Sequence, residues 1–275
     1  MRIGVNPHFE RQLMTSARYG DVSVVFEQHV AVVEIHRPPH NYFDQQLIRS
    51  LADVFESLDK DPACRSLVLA SEGKSFCAGA DFSRRPASRS DELASGAASL
   101  IYKEAVRLFA CEKPVVAAIQ GPAVGGGLGL ALLADFRVVS PEARFVANFV
   151  KLGIHPGFAA TYTLPRLIGI QRATLMLYTG PRINGETAVA WGLGDVLAPA
   201  DRLRDVAREL AAEIAEGAPL AVRSTRATMR RGLADAVKAQ TDHEFAEQSW
   251  LFQTEDHQEG VRAVREKRAG QFKGR

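Results

Sequence analysis

The chain has 275 residues, 34 Lys and Arg against 32 Asp and Glu, a formal net charge of +2, and 46% hydrophobic and 24% charged residues. At roughly 150 residues per domain this is one large domain or two modest ones, with a globular rather than a disordered composition. Arg and Lys are interspersed with acids and form no basic block beyond Arg84-Arg85, which excludes a nucleic-acid footprint. Cys64, Cys77 and Cys111 cannot all pair and show no Cys-x-x-Cys spacing, which suits free thiols in a reducing compartment and excludes a zinc cage.

Met1 to Gly20 lacks an apolar run and reads as a polar N-terminal arm (1–20) with no secretory signal, so a cytoplasmic protein is expected. Asp21 to Ile35 alternates and is rich in valine, which predicts two strands around a turn at Gln28-His29. From Asp44, the residues Leu47, Ile48, Leu51, Val54, Phe55 and Leu58 recur at helical spacing until Asp61-Pro62 closes the helix. Ser66 to Ala70 is a buried strand, Ser71 to Asp81 a loop, Ser83 to Ser90 a polar mobile segment, and Asp91 to Ala110 a helix.

No residue is charged between Lys113 and Asp135, a window long enough to span a membrane. Gln120-Gly121-Pro122 and Gly125-Gly126-Gly127 interrupt it, which argues against one continuous helix and hence against a membrane partner. The window reads instead as a strand over 114–119, a turn over 120–124 and a short buried helix over 126–134, followed by a strand over 136–139. The repeated order predicts an α/β fold, with a core over 21–200 and a helical C-terminal subdomain over 201–275, its helices at 202–216, 219–232 and 234–268.

Gly73-Lys74-Ser75 is not a P-loop, because Val68 stands where the first glycine belongs, and Pro38-Pro39 prevents His36 and His40 from forming a helical metal pair. No metal site is expected. Two glycine-rich turns each follow a predicted strand: Phe76 to Asp81, and Gly121 to Gly127. Singly, each reads as punctuation. As a pair they point to a site where a ligand approaches the backbone and an oxyanion is held by N–H groups.

At this level the sequence resembles the crotonase (enoyl-CoA hydratase/isomerase) superfamily, on FCAGADF at Phe76 to Phe82, KPVVAAIQGPAVGGGLGLALLADFRV at Lys113 to Val138, and LGIHPGFAATYTLPRLIG at Leu152 to Gly169. The resemblance implies a spiral of ββα repeats, a helical C-terminal trimerisation region, and a homotrimer or a hexamer built as a dimer of trimers. It implies an acyl-CoA substrate, with no cofactor beyond coenzyme A as part of that substrate. It makes the N–H groups of Ala80 and Gly126 the oxyanion donors. It also puts Lys74, Ala78, Phe82 and, from a neighbouring subunit, Lys267 along the coenzyme A.

The sequence departs from the family at the acid/base positions. The two glutamates that share a water in the hydratases fall at Gly129 and Phe149, and the nucleophilic aspartate of the 4-chlorobenzoyl-CoA dehalogenases falls at Gly157. Replacement groups are sought in His155, Tyr162, Asp81, Tyr102 and Glu104; His155 is the foremost, because imidazole exchanges protons near neutral pH. The expected function is therefore thioester processing of the hydratase/isomerase type with an open reaction; decarboxylation, thioester hydrolysis and acyl-CoA binding without turnover are the alternatives.

Overall fold

The computed structural model describes residues 16–80 and 97–275. Expectations for Asp81, Phe82, the segment 83–90 and the first part of the helix over 91–110 lie outside the described residues.

In chain order the elements are β1 (Ser16–Tyr19), β2 (Val22–Glu27), β3 (Val30–Ile35), α1 (Gln45–Lys60), β4 (Ser66–Ser71), α2 (Ala97–Phe109), β5 (Val115–Ile119), β6 (Pro122–Val124), α3 (Gly126–Leu132), β7 (Phe136–Val139) and β8 (Arg144–Val146). A 3-10 turn (Phe149–Leu152) leads to α4 (Ala160–Ile168), α5 (Ile170–Thr179), β9 (Ile183–Asn184), α6 (Gly185–Trp191) and β10 (Val196–Leu197). The chain ends in α7 (Leu203–Glu216), α8 (Pro219–Met229), α9 (Leu233–Leu251) and α10 (Glu255–Arg265). None of the described helices is long and apolar enough to cross a membrane.

The main sheet runs β1-β2-β3-β4-β5-β7-β10, with β1, β2 and β3 antiparallel and the rest parallel. Its central strands SLVLAS and VVAAI are buried throughout, as parallel strands covered on both faces must be. Alternation divides them between two cores. Leu67, Leu69, Val115, Ala117 and Ile119 pack with α1, while Val68, Ala70, Val116 and Ala118 meet Leu203, Ala207, Ala211 and Ala215 of α7. The alanines recur one turn apart, which lets α7 lie close on the sheet.

Asp44 caps α1 by accepting from Leu47 N at 2.9 Å, and the apolar stripe read from the sequence is the buried face. Three local expectations need correction. Residues 16–19 of the presumed polar arm form β1 on β2, a strand too short to show periodicity. The turn over 120–124 contains β6, which pairs with β8 and so belongs to a second, three-stranded sheet β6-β8-β9 that the sequence did not reveal. The helix expected over 234–268 is two helices, because Thr254 accepts from His257 N at 3.1 Å and restarts the chain as α10.

The uncharged window thus resolves into β5, β6 and α3, ending at Asp135. There the carboxylate accepts from Val115 N (2.8 Å), Arg226 Nε (2.8 Å) and Arg230 Nη1 (2.7 Å), tying α8 to the start of the central strand β5. These cations hold Asp135 below the usual carboxylate range despite its burial.

Candidate active site

The first glycine turn is built from the loop after β3. Asn41, fully buried and at φ 49°, accepts from Arg37 N at 2.9 Å and donates its amide to Glu72 O and Ser75 O, both at 2.7 Å. Asparagine enters the left-handed region more readily than most residues, because its short side chain bonds locally. Gln120 donates to the same Ser75 O at 3.1 Å from the end of β5. The chain then runs alongside residues 40–43, with Ala78 N donating to His40 O (2.9 Å), Phe43 N donating to Gly79 O (3.0 Å), and a bridge between Phe43 and Ala80.

The second turn locks onto the first, backbone against backbone. Cys77 N donates to Pro122 O, and Val124 N donates back to Cys77 O, both at 3.0 Å. A methyl group at Gly127 would overlap Cys77 O, and one at Gly79, which sits at φ +85°, would lie 2.7 Å from Val124 O. Glycine is required here for contact between the two turns. Gly125 N is taken by Val146 O of β8 (2.8 Å), whereas the N–H groups of Ala80 and Gly126 donate to no acceptor among the described residues.

Behind Gly126 the site is aromatic. The Phe43 ring occupies the space a side chain at Gly126 would take, and Phe158 lies 5.8 Å from Phe43, centroid to centroid. A methyl group at Gly129 would stand 2.6, 2.7 and 2.8 Å from Cβ, Cδ1 and Cγ of Phe158. Phe158 therefore fills the volume in front of Gly129. Phe149 is buried beside Gly125. At Gly157 the space is held by Tyr102 Oη and Gln248 Nε2.

The remaining candidates are placed as follows. Lys74 is exposed and makes no ion pair among the described residues; Ala78 uses its N–H on His40 O, and its carbonyl accepts no bond among the described residues. Lys267 is exposed just beyond α10 at φ 54°. His155 bonds Pro156 O through Nδ1 at 2.8 Å and sets its ring edge-on to the exposed His243 of α9, 5.9 Å away. Tyr102 Oη donates to Gln248 Oε1 (2.7 Å), whose Nε2 donates to His155 O (2.8 Å). Glu104 is buried in ion pairs with Arg49 (3.1 Å) and Arg107, and Tyr162 lies under the Arg166 guanidinium. Cys77 is fully buried and its thiol is pushed up to about 12 by desolvation, so it acts as a small apolar side chain.

Sequence reasoning missed Asn41, Phe43 and Phe158. The signal for Asn41 lay in Pro38 to Asn41, a turn-rich stretch with a polar residue able to adopt positive φ. Phe43 and Phe158 show no periodicity, and their meeting depends on tertiary packing.

The family model described as enoyl-CoA hydratase/isomerase matches residues 25–275, and the chain belongs to that family. A probable enoyl-CoA hydratase of Bacillus subtilis is 32% identical over 92% of this chain and 98% of its own length. A crotonyl-CoA hydratase of Syntrophomonas wolfei is 34% identical over 92% and 98%. The crystal structure of an enoyl-CoA hydratase/isomerase from Pseudoalteromonas atlantica superposes with a TM-score of 0.81 at 27% identity, covering 92% of this chain and all of that one.

Proposed function

We propose that this protein is an enzyme acting on an acyl-CoA thioester, whose carbonyl oxygen accepts from Ala80 N–H and Gly126 N–H while an enolate forms. One observation carries the reading: these two N–H groups have no protein acceptor among the described residues, although the backbones around them are tightly bonded. Donors fixed in this way stabilise a developing oxyanion without reorganising, and removing one typically costs about 3 kcal/mol. Lys74 meets the phosphates of the coenzyme A, the Ala78 carbonyl accepts from its adenine amine, and Lys267 reaches it from a neighbouring subunit.

Hydration through two carboxylates finds no carboxylate at Gly129 or Phe149, and Phe158 fills the space in front of the first. Decarboxylation of a carboxyacyl thioester suits this residue set best. The breaking C–C bond leaves its electron pair in the enolate, CO2 departs, and a proton is then delivered to Cα, so no protein base is needed at the start. His155 is the proton donor we assign: its Nδ1–H donates to Pro156 O, and the doubly protonated ring gives its Nε2 proton to Cα. Binding without turnover is the second reading, favoured by the apolar Phe149 and Phe158 at the site.

The same reading includes a homotrimer or a dimer of trimers, supported by the exposed Leu220, Met229 and Trp250 on α8 and α9. The test is incubation with crotonyl-CoA, branched acyl-CoAs, malonyl-CoA and methylmalonyl-CoA, followed by mass spectrometry beside a binding titration. The expected result is loss of CO2 from a carboxyacyl thioester, abolished by His155→Ala with binding kept. Tight binding with no product from any thioester would leave the second reading.

A further inference from the structure

Phe158 and Ala159 both lie in the left-handed region, at φ 61° and 56°. Two successive non-glycine residues hold such a conformation only where their surroundings over-determine it. Here the determinant comes from α9. Glu244 is fully buried and accepts from Ala159 N at 2.8 Å, from Thr161 N at 3.2 Å and from the Thr161 hydroxyl. Thr163 Oγ1 donates to Ala159 O at 2.8 Å, and Gln240 Nε2 donates to Thr161 Oγ1 at 2.8 Å. The consequence of this clamp is the position of one ring: Phe158, 1% exposed, is turned onto Gly129 and reaches Gly126, with Phe43 on one side and Phe109 at 6.5 Å on another.

We propose that Phe158, with Phe43, is the end wall of the acyl site and restricts the protein to short-chain acyl-CoA thioesters, and that Glu244 is the positioning residue that sets this wall. The inference rests on the acyl-CoA reading above and adds its substrate class. An acyl group whose carbonyl oxygen accepts from Gly126 N–H has its first carbons beside these rings. A short chain packs against them, whereas a long chain must displace a ring that is buried and fixed through its own backbone. Close-packed interiors resist such displacement.

The test is calorimetric titration of wild type, Phe158→Ala, Phe158→Leu and Glu244→Gln with free coenzyme A, acetyl-CoA, crotonyl-CoA and octanoyl-CoA. Wild type is expected to bind crotonyl-CoA at least about tenfold more tightly than octanoyl-CoA, a discrimination of the size one or two methylenes produce in an apolar pocket. Phe158→Ala is expected to move that ratio about tenfold or more towards octanoyl-CoA, with Phe158→Leu between. Glu244→Gln should move it in the same direction with affinity for free coenzyme A unchanged, which a general loss of structure would not do. Equal binding of both thioesters by wild type overturns the proposal whatever the variants do. A ratio unmoved in Phe158→Leu and Phe158→Ala overturns it too. If wild type binds no thioester, the acyl-CoA reading itself fails, and this inference with it.

Discussion

Substituting Gly129 by alanine adds a single methyl group on α3, at 2.6 to 2.8 Å from three carbon atoms of Phe158. Carbon atoms pack best at about 3.5–4.0 Å, so roughly 1 Å of movement is demanded. The ring has little room to supply it, being 1% exposed between Phe43 and Phe109 and tied through Ala159 N to Glu244. Overpacking of this kind costs about 1–3 kcal/mol, whereas an unobstructed Gly→Ala change in a helix gains about 0.5–1 kcal/mol. We therefore expect Gly129→Ala to destabilise by about 1–2 kcal/mol. In a Phe158→Ala background the same change should be neutral or stabilising, a coupling of about 2 kcal/mol. Urea unfolding at fixed protein concentration, followed by the fluorescence of Trp191 and Trp250, measures the cycle. A stabilising Gly129→Ala in wild type, or additivity within about 0.5 kcal/mol, would refute the reasoning. The consequence is chemical: Gly129→Glu alone cannot restore a carboxylate here, because the wall must be cut back first.

Two further outcomes follow from the same geometry. Burial pushes the Glu244 carboxyl up to about 7 from its ordinary 4.5, although three donors favour the charged form. The folded state thus keeps this proton to higher pH than the unfolded state, so the residue's contribution to stability is fully present below about 4.5 and is lost as pH rises towards 7. Relative to Glu244→Gln, wild type should lose about 3 kcal/mol over that window, read as a fall of its urea midpoint relative to that of the variant between pH 4.5 and 8; a constant difference contradicts this. Asn41→Ala leaves Glu72 O and Arg37 N without their side-chain partner and leaves Ser75 O to Gln120 and Ser71, which should cost about 2 kcal/mol in urea unfolding and weaken acyl-CoA binding; a cost under about 0.5 kcal/mol would show that Asn41 does not hold the first turn.

The parts of the fold that were legible in the sequence are those whose burial is local and periodic. The α1 stripe from Leu47 to Leu58, the alternating valines of β2 and β3, and the apolar runs of β4 and β5 declare themselves, because one face or both faces of a single element meet the core. The second sheet did not, since β6, β8 and β9 hold only two or three residues each, too few to carry a period. The two glycine turns were legible as composition. Part of their meaning was not: Gly79 and Gly127 answer to each other's turn, across a contact between residues 77–79 and 124–127. The clamp on Phe158 was hidden for a plainer reason, because Glu244 and Ala159 are 85 residues apart and each looks unremarkable where it stands.

The most direct test of the central claim, that Gly126 N–H polarises a thioester carbonyl, compares Gly126→Ala with Gly126→Pro. Gly126 is the first residue of α3, where proline is tolerated because that N–H has no helical partner. Both variants push the same Cβ towards the Phe43 ring, so that part of the steric effect is shared, and proline in addition replaces the donor hydrogen by its ring Cδ. The measurement is the difference spectrum of a bound aromatic acyl-CoA, with turnover beside it. The account predicts that alanine keeps the carbonyl polarisation and proline loses it, with turnover about 10²–10³-fold lower in proline than in alanine. Equal polarisation in the two variants would contradict it.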